Sequence, residues 1–313
     1  MTIAVALLVV AGLVGSVAPR RLLRVAARGV DPLVPITAWL ASAVGVLVTA
    51  ALAVALLLVP DHGLTVLGHL HACWSSLSHG MTPAVEAGGG VVGLALLGGL
   101  LVRLAVVSGR AARRRARVRR EHLATLRVAA RKESGSPSTL WLDHDEPLAF
   151  CLAGTPGVVV ATEGLHRHLT GDQVAAVLVH ERAHLAGRHH QLVAVSEAIS
   201  TVLPFLPLFR HGPGTVRALV ELAADEAAVR ACGVDAVRAA LLRVSRHGGA
   251  AGSALAMGRD AVEVRLERLA RPGRRRHPLA NGLACVATGT AAVVLPAFCA
   301  LGGLLVLTAL GCL

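Results

Sequence analysis

Residues 180 to 184 read His-Glu-Arg-Ala-His. On a helix, side chains four apart share a face, so His180 and His184 can offer two imidazoles to one divalent metal. Glu181, beside the first of them, stands where a general base for a metal-activated water belongs. The flanking residues favour a helix. Thr170-Gly171-Asp172-Gln173 has the form of a capping box, and Val174, Val177, Leu178 and Leu185 fall at helical spacing. A five-residue pattern with three fixed positions also arises by chance, so the elements around it have to support it.

A second helical stretch, residues 215 to 232, ends at Gly233, a natural stop. Glu221 and Asp225 share one of its faces. Glu221 would complete a His-His-Glu set of three protein ligands, the number a catalytic zinc takes. Asp225, one turn on, could accept the N–H of a ligand histidine and fix its tautomer. The competing reading is a solvated acidic stripe of Glu221, Asp225 and Glu226. Leu219, Val220, Leu222 and Ala223 argue instead for a largely buried helix, where an unpaired carboxylate is costly. A rival third ligand is His190, because residues 180 to 190 also fit HExxHxxGxxH, with Gly187 bending the chain out of the helix. Residues 191 to 199 continue a helix-compatible pattern, and the methionine turn of that rival pattern could be built only around Met257. Glu221 is therefore the preferred ligand, and His189 and His190 read as polar residues at the end of the site helix.

This ordered set resembles the BlaR/MecR-type membrane zinc metallopeptidases and the related HtpX-type integral membrane zinc proteases. The stretch from Pro147 to Leu165 is similar to the strand pair those enzymes carry before the zinc helix, and Val264 to Leu269 resembles their later Arg-containing helix. The resemblance covers roughly residues 90 to 275. It implies a gluzincin-like α+β protease domain with one Zn2+ per chain. His180, His184 and Glu221 would be its ligands, Glu181 the general base and Asp225 the partner of a ligand histidine. Receptors of this kind carry a C-terminal penicillin-sensing domain. Here the last apolar segment runs to Leu313, so β-lactam sensing is not expected.

Composition agrees with a membrane protein: 54% of the 313 residues are hydrophobic and the mean hydropathy is +0.64. A span takes about 20 mostly apolar residues. Four stretches qualify: 1 to 19, 32 to 60, 87 to 107, where Arg103 near the end can snorkel, and 283 to 312. The first lacks the basic start and the cleavage site of a signal peptide. A further run, Ile199 to Phe209, is short and broken by Pro204 and Pro207, and is expected to be interfacial or re-entrant.

Loop charge orients these spans. Arg20, Arg21, Arg24 and Arg28 follow the first, ten basic residues lie between 110 and 132, and Arg271, Arg274, Arg275 and Arg276 precede the last, whereas the loop 61 to 86 has no Lys or Arg. Basic loops stay in the cytoplasm. The expected topology is thus a mainly α protein with four transmembrane helices and both termini extracytoplasmic. A basic juxtamembrane segment, 108 to 120, would lead into a cytosolic zinc domain at 121 to 280. The arginines of 110 to 120 have no stacking aromatics and adjoin a span, so lipid headgroups of the bilayer are the expected partner and nucleic acid is not.

The six cysteines form no CxxC pair and read as small buried hydrophobes; Cys151 falls in an expected strand. His62, His69, His71 and His79 accompany Cys73 in the outer loop without regular ligand spacing. Residues 248 to 256 form a small-residue tract expected to be a mobile loop. The chain has no Tyr, so any side chain that stabilises an oxyanion must be Arg or His. Arg265 is one such residue, or else an ion-pair partner of the site carboxylates. The sequence thus points to a membrane zinc metalloendopeptidase that cleaves a protein or peptide substrate. The substrate would add as an extended strand to an edge of the 148 to 161 pair, in a signalling or regulated-proteolysis setting. The alternative is a non-catalytic membrane signalling or scaffold protein with a degenerate metal site.

Overall fold

A computed structural model describes residues 30–58, 83–135, 137–247 and 254–270, with four isolated positions between 283 and 290. The expected first span, most of the outer loop and most of the last span lie outside the described residues. Two long helices, α1 (Leu33–Leu58) and α2 (Pro83–Ala129), lead into a four-stranded sheet. Its strands are β1 (Ala130–Ser134), β2 (Ser138–Leu142), β3 (Ala149–Leu152) and β4 (Val158–Thr162), arranged in the order β1-β2-β4-β3. Seven helices follow: α3 (Gly164–His168), α4 (Gly171–Ala186), α5 (His189–Val202), α6 (Pro207–Arg210), α7 (Gly212–Cys232), α8 (Val234–His247) and α9 (Ala254–Ala270). Among the described residues the protein is mostly helical with one small sheet.

The valine-rich β4 is buried at every position, as an apolar run flanked on both sides requires. It runs parallel to β2 and antiparallel to β3, which leaves β3 on the sheet edge. Thr162 holds the lead-in to that edge, donating to the Glu146 carbonyl at 2.6 Å and accepting from the Leu148 N–H at 3.0 Å. The pair 148 to 161 is thus a hairpin, as the sequence suggests. The strands β1 and β2 have no counterpart in the sequence reading.

The capping box of α4 forms in both directions: Thr170 with the N3 backbone, and Gln173 with the backbone of Thr170. Against α4 packs α7, with Ala176, Ala228 and Val237 (of α8) forming a small buried cluster. On the other flank α1 closes the main core. Ile36, Trp39, Ala43 and Val46 meet Ile199, Val202, Leu208, Phe209, Val216 and Leu219. Trp39 Nε1 donates to the Leu208 carbonyl at 3.2 Å, and its ring fills the space that a Cβ on Gly212 would occupy. The run from Ile199 to Phe209 contributes to this same core. Its prolines break the chain between α5 and α6, and Leu203, Leu208 and Phe209 are buried beneath α1, with Phe205 exposed.

α2 is one helix of 47 residues, so the expected span, the basic segment and the entry to the protease domain are continuous. Its first half exposes Val91, Val92, Leu94, Leu96, Leu101 and Val102, and its second half exposes most of its arginines. Of the described helices, α1 and α2 are long and apolar enough to cross a membrane. The small-residue tract is partly helical, because α9 begins at Ala254.

Candidate metal centre

Because α4 and α7 lie side by side, residues distant in sequence converge. His180 Nε2 and His184 Nε2 are 3.1 Å apart. Each is 3.4 Å from a carboxylate oxygen of Glu221. One donor atom from each of the three residues lies within 4.8 Å of the others, a group that could hold a metal ion. The two histidine side chains are 13% and 14% exposed while Glu221 is 37% exposed, so the cluster sits at a surface that solvent can reach.

The far nitrogen of His180 is engaged as well. Nδ1 lies 3.0 Å from Asp225 Oδ1, and the Asp225 side chain is nearly buried. In the neutral ring, an N–H donated there leaves the Nε2 lone pair facing the cluster. Asp225 in turn accepts two hydrogen bonds from Arg265 on α9, Nε to Oδ2 at 2.7 Å and Nη2 to Oδ1 at 2.6 Å. Arg265 also reaches Glu221 at 3.3 Å. It is thus an ion-pair partner of both carboxylates, one of the two readings open from the sequence. A planar guanidinium suits this fork better than an ammonium would.

These contacts set the charges. Burial works against a charged His180, yet hydrogen bonds to Asp225 and Glu221 outweigh it and hold its pKa up at about 9. Burial, reinforced by His180 and Arg265 against the opposing pull of Glu221, pushes His184 down to about 4. Burial would raise Asp225, but its bonds to His180 and Arg265 bring it below the ordinary aspartate value. Glu181 is raised by burial. Its carboxylate takes a hydrogen bond from the Cys151 thiol on edge strand β3, and that thiol is pushed up to about 12 chiefly by burial and then by Glu181.

Two residues stand closer to the centre than the sequence suggests. Cys151, read as a small hydrophobe, faces Glu181. His189 places Nδ1 2.9 Å from His184 Nδ1 and is buried, whereas His190 is exposed. The chain does leave the helix at Gly187, and Arg188 adopts a left-handed conformation (φ 48). That bend starts α5 at His189 and does not bring His190 to the cluster. Met257 lies within α9, not in a turn. The HExxHxxGxxH spacing hints at a histidine near the bend but points to the wrong one of two neighbours.

The donor set suits zinc. It comprises two imidazole nitrogens and one carboxylate, no thiolate, and a carboxylic acid (Glu181) beside the cluster, the protein complement of a hydrolytic site. Residues 112–248 match Peptidase family M48. No solved structure matches the chain. The matched span contains His180, Glu181, His184, Glu221 and Asp225, and leaves Arg265 outside it. That match to a peptidase family thus spans every residue of the converging His-His-Glu group.

Proposed function

We propose that this protein is a membrane-embedded, zinc-dependent metalloendopeptidase, with His180, His184 and Glu221 as the zinc ligands. The observation that carries the reading is the meeting of those three donors within 4.8 Å, with Glu181 next to the first. When bound, zinc supplies Lewis acidity towards a water and towards the scissile carbonyl. The remaining work falls to the protein. Glu181 takes the proton of the attacking water and delivers it to the leaving amine. Asp225, held by Arg265, keeps His180 in the tautomer that presents Nε2. Among the described residues β3 is an edge strand, and a substrate strand added there would run past Cys151 and Glu181, giving main-chain recognition with little demand on sequence.

The exposed apolar half of α2 supports a span, and its arginine-rich second half supports anionic lipid at the cytoplasmic leaflet. On this reading the catalytic domain is cytosolic, the N- and C-termini lie outside, and one Zn2+ serves each chain. The BlaR/MecR-type resemblance favours regulated cleavage of a cytosolic protein as the output.

Zinc content and turnover test this together. In detergent-solubilised protein we expect about one zinc per chain in the wild type and in His190→Ala, and a marked loss in Glu221→Ala. Glu181→Gln should keep its zinc and lose cleavage of a labelled unfolded protein by a factor of at least ~100. Cleavage that survives in Glu181→Gln removes that residue from the mechanism. Full zinc in Glu221→Ala removes the carboxylate from the ligand set.

A further inference from the structure

The two ligand histidines are backed differently. His180 leans on a carboxylate; His184 leans on another imidazole, that of His189. We propose that His189 is the positioning residue for His184, accepting its Nδ1–H so that Nε2 is presented to the metal. The inference rests on the zinc reading above and assigns a role that no ligand pattern in the sequence singles out.

The argument is one of proton bookkeeping. Two ring nitrogens 2.9 Å apart are a hydrogen bond, so one of them carries the proton. Were His189 the donor, the neutral His184 would carry its own proton on Nε2. That proton would point at His180 Nε2, 3.1 Å away, and at Glu221, and His184 could not ligate. A metal at the cluster needs an unprotonated Nε2 on His184, and only the arrangement with the proton on His184 Nδ1 and a lone pair on His189 Nδ1 allows the neutral ring to offer one. The ring centroids are 4.9 Å apart and the planes stand at 89°, so the rings do not stack and their close approach is through the two Nδ1 atoms.

The local chain is shaped for this contact. A Cβ at Gly187 would come within 2.4 Å of His189 Nε2, so the residue that ends α4 has no side chain because the imidazole occupies that space. Arg188 then takes a left-handed conformation, φ 48 and ψ 36, and the reversal folds His189 back over the last turn of α4. Left-handed backbone is unfavourable for an arginine. A bend that served only to end the helix could have used a glycine there. His189 is 6% exposed and also lines a cavity of about 240 Å³ with Asp31, Gly187, Glu226 and Arg230. Truncating it to Ala would enlarge that cavity and remove the acceptor at once, so one informative variant keeps a ring and the other keeps an acceptor on the γ carbon.

The test compares His189→Phe, which retains a ring and has no acceptor, with His189→Asp, which retains an acceptor. The readouts are zinc affinity by chelator competition and thermal unfolding of the full chain in detergent after EDTA. Second-layer partners of ligand histidines typically contribute 10–100-fold to metal affinity. We expect His189→Phe to bind zinc about 10–100-fold more weakly than wild type and His189→Asp to recover most of that loss. After EDTA the unfolding temperature should not follow this order. Equal zinc affinity in wild type and His189→Phe overturns the proposal, as does an Asp variant no better than Phe. A wild type that takes up no zinc overturns the metallopeptidase reading as well, so the two failures are distinct.

Discussion

α1 and α2 look alike as apolar text and behave differently as structure. In α1, Ile36, Trp39, Ala43 and Val46 are covered by α5, α6 and α7, so protein already accounts for much of its apolar surface. In the first half of α2, Leu96 is 71% exposed and Val102 64%, and nothing among the described residues covers that face. The two helices touch where Gly93 admits Val54, and Leu100, Leu104 and Val107 of α2 reach the edge of the same core. Hydropathy therefore means two things in one molecule. In α1 it reports attachment to the catalytic unit; in α2 it reports a surface that water does not suit. The membrane assignment under the proposed function leans on α2.

The largest expected effect that tests this contrast is at Trp39, which is 1% exposed. Trp39→Ala removes a filled core position and should cost about 3–5 kcal/mol in unfolding free energy. Denaturant unfolding in micelles measures it, and a loss near zero would detach α1 from the catalytic unit. Gly212→Val comes next. The added side chain meets the Trp39 ring, where even a Cβ would be 2.7 Å away, and overpacking of this sort costs about 1–3 kcal/mol. Leu96→Ser should be the smallest, within about 0.5 kcal/mol in detergent, as for an uncovered position. A large loss at Leu96 would mean that α2 has a protein cover after all, and the difference between the helices would disappear.

The site was legible where its parts are local. The facing of His180 and His184, the capping box before them and the shared face of Glu221 and Asp225 follow from a period of 3.6 residues, and the structure has all of them. The edge hairpin was legible because β4 is a continuous valine run and β3 is short and apolar. By contrast β1 was hidden. Ala-Arg-Lys-Glu-Ser has no alternation, and its pairing with β2 includes an irregularity between Ala130 and Lys132. The Arg265 clamp could be narrowed only to two roles, since which carboxylates an arginine reaches depends on how α9 crosses α7. Cys151 read as a core residue because burial and a polar contact leave the same trace in a sequence.

What the amino-acid order determined by itself was the chemistry on offer. Two imidazoles and a carboxylic acid stand on one helix face, a carboxylate pair stands on another, and there are apolar lengths sufficient for a bilayer. The reason is that helical periodicity is a short-range property, set within a few turns. Tertiary packing decided which of those groups meet: Glu221 at the two Nε2 atoms, Arg265 behind Asp225, and His189 rather than His190 against His184. It also decided which apolar helix is covered. Those outcomes depend on how α1, α7 and α9 dock and on a single left-handed residue at Arg188, and neither leaves a periodic signal along the chain.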